Sequence, residues 1–295
     1  MTLRVLDHPV RISCGSAAEF ELLASVYGAM QRAPVEGRAL EYTVRWSDER
    51  SEFLIMRAGR APMAAADDGE LIFMLEKDLT VEIQHCRRDL YFVHAAALEF
   101  EGGAMLLVAP SGAGKSTATW ALLHHGFRYL SDELAPVHLP TMEVHPYPHA
   151  LCLKAEPPRA YPLPSQTLRT CRTLHVPTAS LPCPTRPAAA KVTAIFFLEH
   201  SPGLGCNSRL IPVSKAEAAA RLFAQALNPL AHADEGLDGA AAMSCRTHCY
   251  RLLSQDLRST ADLLTRTLRT GSTRGGEESE HRSQRHAVSI PHHAM

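Results

Sequence analysis

The stretch LLVAPSGAGKST, Leu106 to Thr117, constrains this chain more than any other. It satisfies the Walker A pattern G-x-x-x-x-G-K-[ST] except that Ala109 stands at the first glycine. In such a P-loop, successive backbone N–H groups cradle an anion, and glycines allow angles and close approaches that side chains would block. Ser111, Gly112, Ala113, Gly114, Lys115, Ser116 and Thr117 therefore form the candidate nucleotide site. Lys115 is expected at the β/γ-phosphates and the Ser116 hydroxyl at Mg²⁺. Ala109 costs something only if its position needs a positive φ, and the following Pro110 favours an extended conformation there. ATP with Mg²⁺ is the expected cofactor pair.

The flanking sequence supplies the context such a loop needs. HAAALEF, EGG and AMLLVA read as strand, glycine turn and strand. STATWALLHHG reads as a helix closed by Gly126. FRYLSDELAPV reads as a further strand with Asp132 and Glu133 near its end, completing a βαβ-like unit. Upstream, residues 1–90 form a small α+β region. FELLASVYGAMQ has helical spacing, YTVRWS and EFLIMRAG read as strands, and residues 70–90 read as helix to about Cys86 or as strand, with Tyr91 to Phe100 turning into a strand.

Downstream, residues 155–190 are dense in proline with little periodicity, which suits a flap over the site or a surface excursion. KVTAIFFLEH (191–200) reads as a buried strand. Residues 214–228 read as a helix with Ser214 as N-cap and Glu217 completing a capping box. CYRLLSQD and LRSTADLLTRTLRT close a catalytic region spanning 91–270. Residues 271–295 have too little apolar content to pack and read as a disordered tail.

Composition excludes several classes. A net charge of −1 offers no global basic field for nucleic acid or an anionic membrane. No apolar run reaches the roughly 18–20 residues a spanning helix needs. The N-terminal MTLRVLDHPVRISCG shows no secretory pattern, so a cytoplasmic location with free thiols is expected. CRTHC (Cys245, His248, Cys249) lacks a second ligand pair at zinc-site spacing.

The acid pair in YLSDE follows the loop helix at the next strand, where a carboxylate returns beside the phosphates. One acid there can hold Mg²⁺ and another can accept a proton from an attacking hydroxyl; the alternative is a solvated acidic turn. Glu199, closing the apolar run AIFFLE ahead of the loop-like HSPG, is a rival metal-side carboxylate.

Taken in order, VHAAALEF, EGG, LLVAPSGAGKST, a helix ending at Gly126 and YLSDE resemble the catalytic domain of HPr kinase/phosphorylase. The HPr-kinase-related proteins found beside PqqD-like peptide chaperones in bacteria are more similar still. The motif core spans about 93–137, with weaker likeness in YPHALCLK and CYRLLSQDL to about 268. The resemblance implies an α/β fold with a P-loop kinase core of the HPr kinase/phosphoenolpyruvate carboxykinase type, and transfer of the γ-phosphate to a serine with Mg²⁺. By position it makes Asp132 the catalytic base and Glu133 the second acid, on the metal. His94 would orient the attacking groups or be a satisfied strand histidine. Lys154 would stabilise transferring charge or form a surface ion pair.

Thr117 stands where the family carries an acid, and the glycine-rich segment linked to phosphorylase activity is missing. The expectation is therefore a serine kinase without the reverse activity, acting on a peptide or small protein, with a PqqD-like chaperone as a candidate partner. The family also allows a homo-oligomer. The rival readings are a non-catalytic nucleotide-binding regulatory module and a small-molecule kinase, for example toward free serine.

Overall fold

The computed structural model describes residues 1–33, 38–200 and 207–270, which form a mixed α/β structure with three sheets. The expected tail after residue 270 and the HSPG loop beyond His200 lie outside the described residues.

The largest sheet is organised around three parallel strands. Ala190–His200, whose run AIFFL is apolar on both faces, lies between Gly103–Val108 and His248–Ser254 and pairs in parallel with each. Strands buried on both faces need such continuous apolar runs. Ala95–Phe100 pairs antiparallel with Gly103–Val108 through a tight turn at Glu101 and Gly102, both at positive φ. Arg128–Ser131 then pairs antiparallel with Ala95–Phe100. The expected strand–helix–strand unit is present, but with Ala95–Phe100 inserted between its two parallel strands.

Two stretches read as single strands are broken. Tyr91–Val93 and Ala95–Phe100 are separate strands that part at His94, whose N–H donates to the Gln225 carbonyl at 2.8 Å. Arg128–Ser131 and Ala135–His138 part at the acid pair, and Ala135–His138 pairs instead with Tyr91–Val93. Each break falls at a candidate site residue.

Upstream, Thr2–Val5, His8–Cys14, Leu40–Ser47, Glu52–Arg57 and Met63–Ala65 form a five-stranded sheet. The first two strands had no clear signal in the sequence. Residues 68–86 are helical: Asp68–Cys86, capped by Asp67, buries Leu71, Leu75, Leu79 and Ile83 on one face. This helix shares a core with Phe92, Leu134, Tyr147 and Ala150, so residues 1–90 pack directly against the strand ends that carry the acid pair.

The proline-rich segment has more structure than its sequence suggests. Leu168–Arg169 and Leu174–Val176 join Leu151–Leu153 in a small three-stranded sheet. Tyr161 packs over the loop helix, where its carbonyl accepts from the buried Trp120 indole N–H at 2.9 Å. Ser214 caps the helix Lys215–Phe223 as expected, but the capping box is incomplete: the Glu217 carboxylate accepts from Arg221 instead. That helix stops at Phe223, short of the expected residue 228.

Candidate active site

The site begins where the parallel strands end, the usual place for ligands in open α/β sheets. Val108 leads into the 109–114 loop, and Lys115 opens the helix Lys115–His124. Gly112 and Gly114 have φ of +84° and +87°, and a Cβ on either would meet nothing within 4 Å. The loop thus folds around open space that backbone donors can offer to an anion. Ala109 is buried in the core and is not among the positive-φ residues, so the missing glycine carries no strain.

Lys115 is 6% exposed. Burial pushes its pKa down to about 8, partly offset by the carboxylates of Glu133 and Asp132. Its Nζ lies 2.7 Å from His94 Nε2. An ammonium only donates, so Nε2 accepts, and the proton on Nδ1 points to Gln225 Oε1 at 3.2 Å. Burial and the Lys115 charge keep His94 below its ordinary pKa, as the neutral acceptor. Lys154 Nζ donates to Ser111 Oγ at 2.8 Å, placing a second cation on the loop.

The acid pair divides. Asp132 is fully buried. Its Oδ1 accepts from Tyr129 OH at 2.8 Å and its Oδ2 from the Cys152 N–H at 3.0 Å. His149 Nε2 stands 3.1 Å from Oδ1, an ion pair whose angle falls outside a directed hydrogen bond. Burial alone would raise the Asp132 pKa, but the His149 charge and these hydrogen bonds hold it below the usual carboxylate range. Asp132, expected at the reacting hydroxyl, is therefore turned inward with both oxygens engaged. Glu133 reaches the surface, though crowded by protein. That crowding and the Asp132 charge raise its proton affinity, against the pull of His149 and Lys115.

Glu199 faces away from the loop. Leu198 and His200 line the cleft beside the loop, and strand alternation sends the residue between them to the other face. There the Glu199 carboxylate takes hydrogen bonds from Arg251 and Arg221 at 2.7–3.0 Å, which lower its pKa. It is committed to an ion-pair cluster rather than to a metal beside Ser116.

The cleft, about 1050 Å³, opens next to Gly112, Gly114 and Thr117. Its far wall is Tyr161 and the turn Ser254–Arg258, which follows the third parallel strand. Among the described residues no group of three or more His, Cys, Asp or Glu side chains could hold a metal ion. A Mg²⁺ held through one carboxylate, a hydroxyl and phosphate oxygens needs no such group. The open cradle, Lys115 and Ser116 fit a Mg²⁺–triphosphate, and Glu133, the exposed carboxylate of the acid pair, can serve either the metal, as expected, or a reacting hydroxyl.

His149 and Gln225 had no signal as isolated residues. His149 lies in YPHALCLK, a stretch that drew attention only to Lys154. The buried imidazole meets the charges of Glu76, Asp132 and Glu133, which overcome the opposing effect of burial and push its pKa from 6.5 up to about 9. Because the folded state binds this proton more tightly, the associated stability is complete below about 6.5 and is lost as pH rises through about 9. The melting temperature should fall across that interval, and His149→Gln should flatten the fall. An unchanged slope in the variant would show that another group carries it.

No family model matches the chain, and no curated protein matches it. Among solved structures the chain is similar to the HPr(Ser) kinase/phosphatase from Coxiella burnetii, at 12% identity and a TM-score of 0.31, covering 68% of this chain and 99% of that one. A likeness at that level carries nothing about the site, which stands on its own geometry. No helix among the described residues is long and apolar enough to cross a membrane.

Proposed function

We propose that this chain is a Mg²⁺–ATP-dependent kinase of the P-loop, HPr-kinase-like type, transferring a phosphoryl group to a serine hydroxyl of a peptide or small protein. The observation that carries this reading is the convergence of Lys115, His94, Lys154 and Glu133 on one glycine cradle at the end of a parallel strand. When bound, Mg²⁺–ATP supplies the transferable group and offsets part of its charge; Ser116 and the loop N–H groups would hold it.

Lys115 and Lys154 then offset phosphate charge from two sides, the kind of positioning and electrostatic work on which phosphoryl transfer depends. Lys115 exchanges its bond to His94 for the phosphates, and His94 Nε2 is released to orient the incoming hydroxyl. Glu133 takes that hydroxyl's proton, since it is exposed beside Lys115 and its raised proton affinity suits a general base. Asp132, engaged on both oxygens, anchors the turn that presents Glu133. The sequence resemblance supports serine as the acceptor, on a peptide of the kind presented by a PqqD-like chaperone.

The burial of Asp132 favours a second reading, a nucleotide-dependent switch that transfers nothing. Labelled ATP separates the two. The kinase reading expects label on a serine of a protein encoded beside this chain, stable to acid, released by alkali and lost with Lys115→Ala. Tight ATP binding without transfer or turnover, with a partner captured only in the ATP state, would replace it with the switch.

A further inference from the structure

A buried polar chain runs from the N-terminal region to the acid pair. It starts at Glu76 on the helix Asp68–Cys86, whose Oε2 accepts from Tyr27 OH at 2.6 Å and Oε1 from Tyr147 OH at 2.7 Å. Both tyrosines are fully buried. From Tyr147 the path continues to His149 by ring contact, and the His149 backbone N–H donates to the Tyr147 carbonyl at 3.0 Å. The two rings lie 5.2 Å apart. His149 meets Asp132 at 3.1 Å, and Asp132 is held in turn by Tyr129 and the Cys152 N–H. The turn itself is closed by a hydrogen bond from Ser131 Oγ to the Leu134 carbonyl.

The same segment is tied to its surroundings on both sides. The Tyr147 N–H donates to the Leu130 carbonyl on the strand ahead of the acids at 3.0 Å, and the Ala150 N–H to the Val26 carbonyl near the end of the helix Ala17–Tyr27 at 2.8 Å. Signs alternate along the path: carboxylate, imidazolium, carboxylate. Burying Asp132 and His149 with a half-buried Glu76 behind them costs more than packing apolar side chains of the same volume, so stability alone is a poor reason to keep them. What the path does provide is a fixed position for Asp132, the residue next to the carboxylate that faces Lys115.

We infer that the N-terminal region is part of the catalytic machinery: Glu76, acting through Tyr147 and His149, is a positioning residue that fixes Asp132 and thereby the turn presenting Glu133 to the loop. This rests on the kinase reading for its functional consequence, while the linkage itself stands on the Tyr147–Glu76 hydrogen bond, the Tyr147–His149 ring contact and the His149–Asp132 ion pair. Supporting residues around a functional group lower activity by roughly 10- to 100-fold when they are changed. The Glu76 carboxylate bonds Tyr27 and Tyr147 rather than the loop, so nucleotide binding should not share that loss.

The test uses the full chain with Glu76→Gln, and with Tyr147→Phe, which removes a single hydroxyl should the first variant fold poorly. Three readouts are taken: affinity for a fluorescent ATP analogue, phosphoryl-transfer kcat, and the imidazole NMR signal of His149. The expected result is roughly a tenfold or greater fall in kcat, analogue affinity within about twofold, and a His149 signal that titrates at lower pH than in wild type. Wild-type kcat together with an unmoved His149 signal, in folded protein, would overturn the inference. If the wild type transfers no phosphate, the kinase reading fails on that control, and the His149 signal still decides whether Glu76 governs the acid pair. An unmoved signal would overturn the linkage as well.

Discussion

Lys115→Met is expected to abolish detectable phosphoryl transfer and to weaken binding of the triphosphate, while leaving the melting temperature unchanged or higher. Loss of one donor aimed at developing charge typically costs about 10²–10³ in kcat, and Lys115 is both donor and full charge. The stability side has the opposite sign. Its pKa of about 8 lies below the ordinary 10.5, so the fold holds the ammonium less readily than the unfolded chain does. Methionine fills similar volume without that desolvation, so the ligand-free variant gives up nothing by losing the charge.

Lys115→Arg should also fail, because a planar guanidinium does not reproduce the compact ammonium held 2.7 Å from His94. Titration with a fluorescent ATP analogue, beside thermal melts of the same preparations, checks both sides. A methionine variant that binds the analogue as wild type does would remove Lys115 from the phosphate site. One that merely unfolds would show instead that the His94 contact is structural.

Much of the frame around this lysine is legible in the sequence because it is local. The turn at Glu101–Gly102, the cradle glycines, the stop at Gly126 and the apolar run of Ala190–His200 each depend on a few adjacent residues. What escapes is what distant contacts decide. The strands Leu168–Arg169 and Leu174–Val176 are too short to show a period and exist because Leu151–Leu153 lies alongside. The break at His94 depends on Gln225, a residue remote in sequence. Glu199 looked like a metal-side acid because it closes an apolar run, and only Arg221 and Arg251 explain it otherwise.

The acid pair shows the same limit at the scale of one residue. Asp132 and Glu133 lie in the bend between Arg128–Ser131 and Ala135–His138, where the chain buries the first acid and exposes the second. The sequence does not say which one turns inward. That is settled by His149, Tyr129 and the Cys152 N–H, which together make a pocket for the first carboxylate and leave the second at the rim.

That division predicts opposite phenotypes for two amide substitutions. Asp132→Asn removes the buried counter-charge of His149, and breaking such a pair by changing one partner costs about 3–5 kcal/mol. For a chain of this length that corresponds to a fall in melting temperature on the order of ten degrees. The folded fraction at low temperature should still transfer phosphate, at a reduced rate, because Asp132 does not touch the reacting groups. Glu133→Gln should do the reverse. Its carboxylate already has raised proton affinity, so a neutral amide costs the fold nothing, and the melting temperature should hold or rise. Its kcat should drop by about 10²–10⁴, the usual worth of a positioned general base. Melts and single-turnover transfer rates on the two variants give both quantities. If Asp132→Asn instead loses transfer with its stability intact, and Glu133→Gln transfers as wild type does, the base is Asp132 and the turn must open to expose it during catalysis.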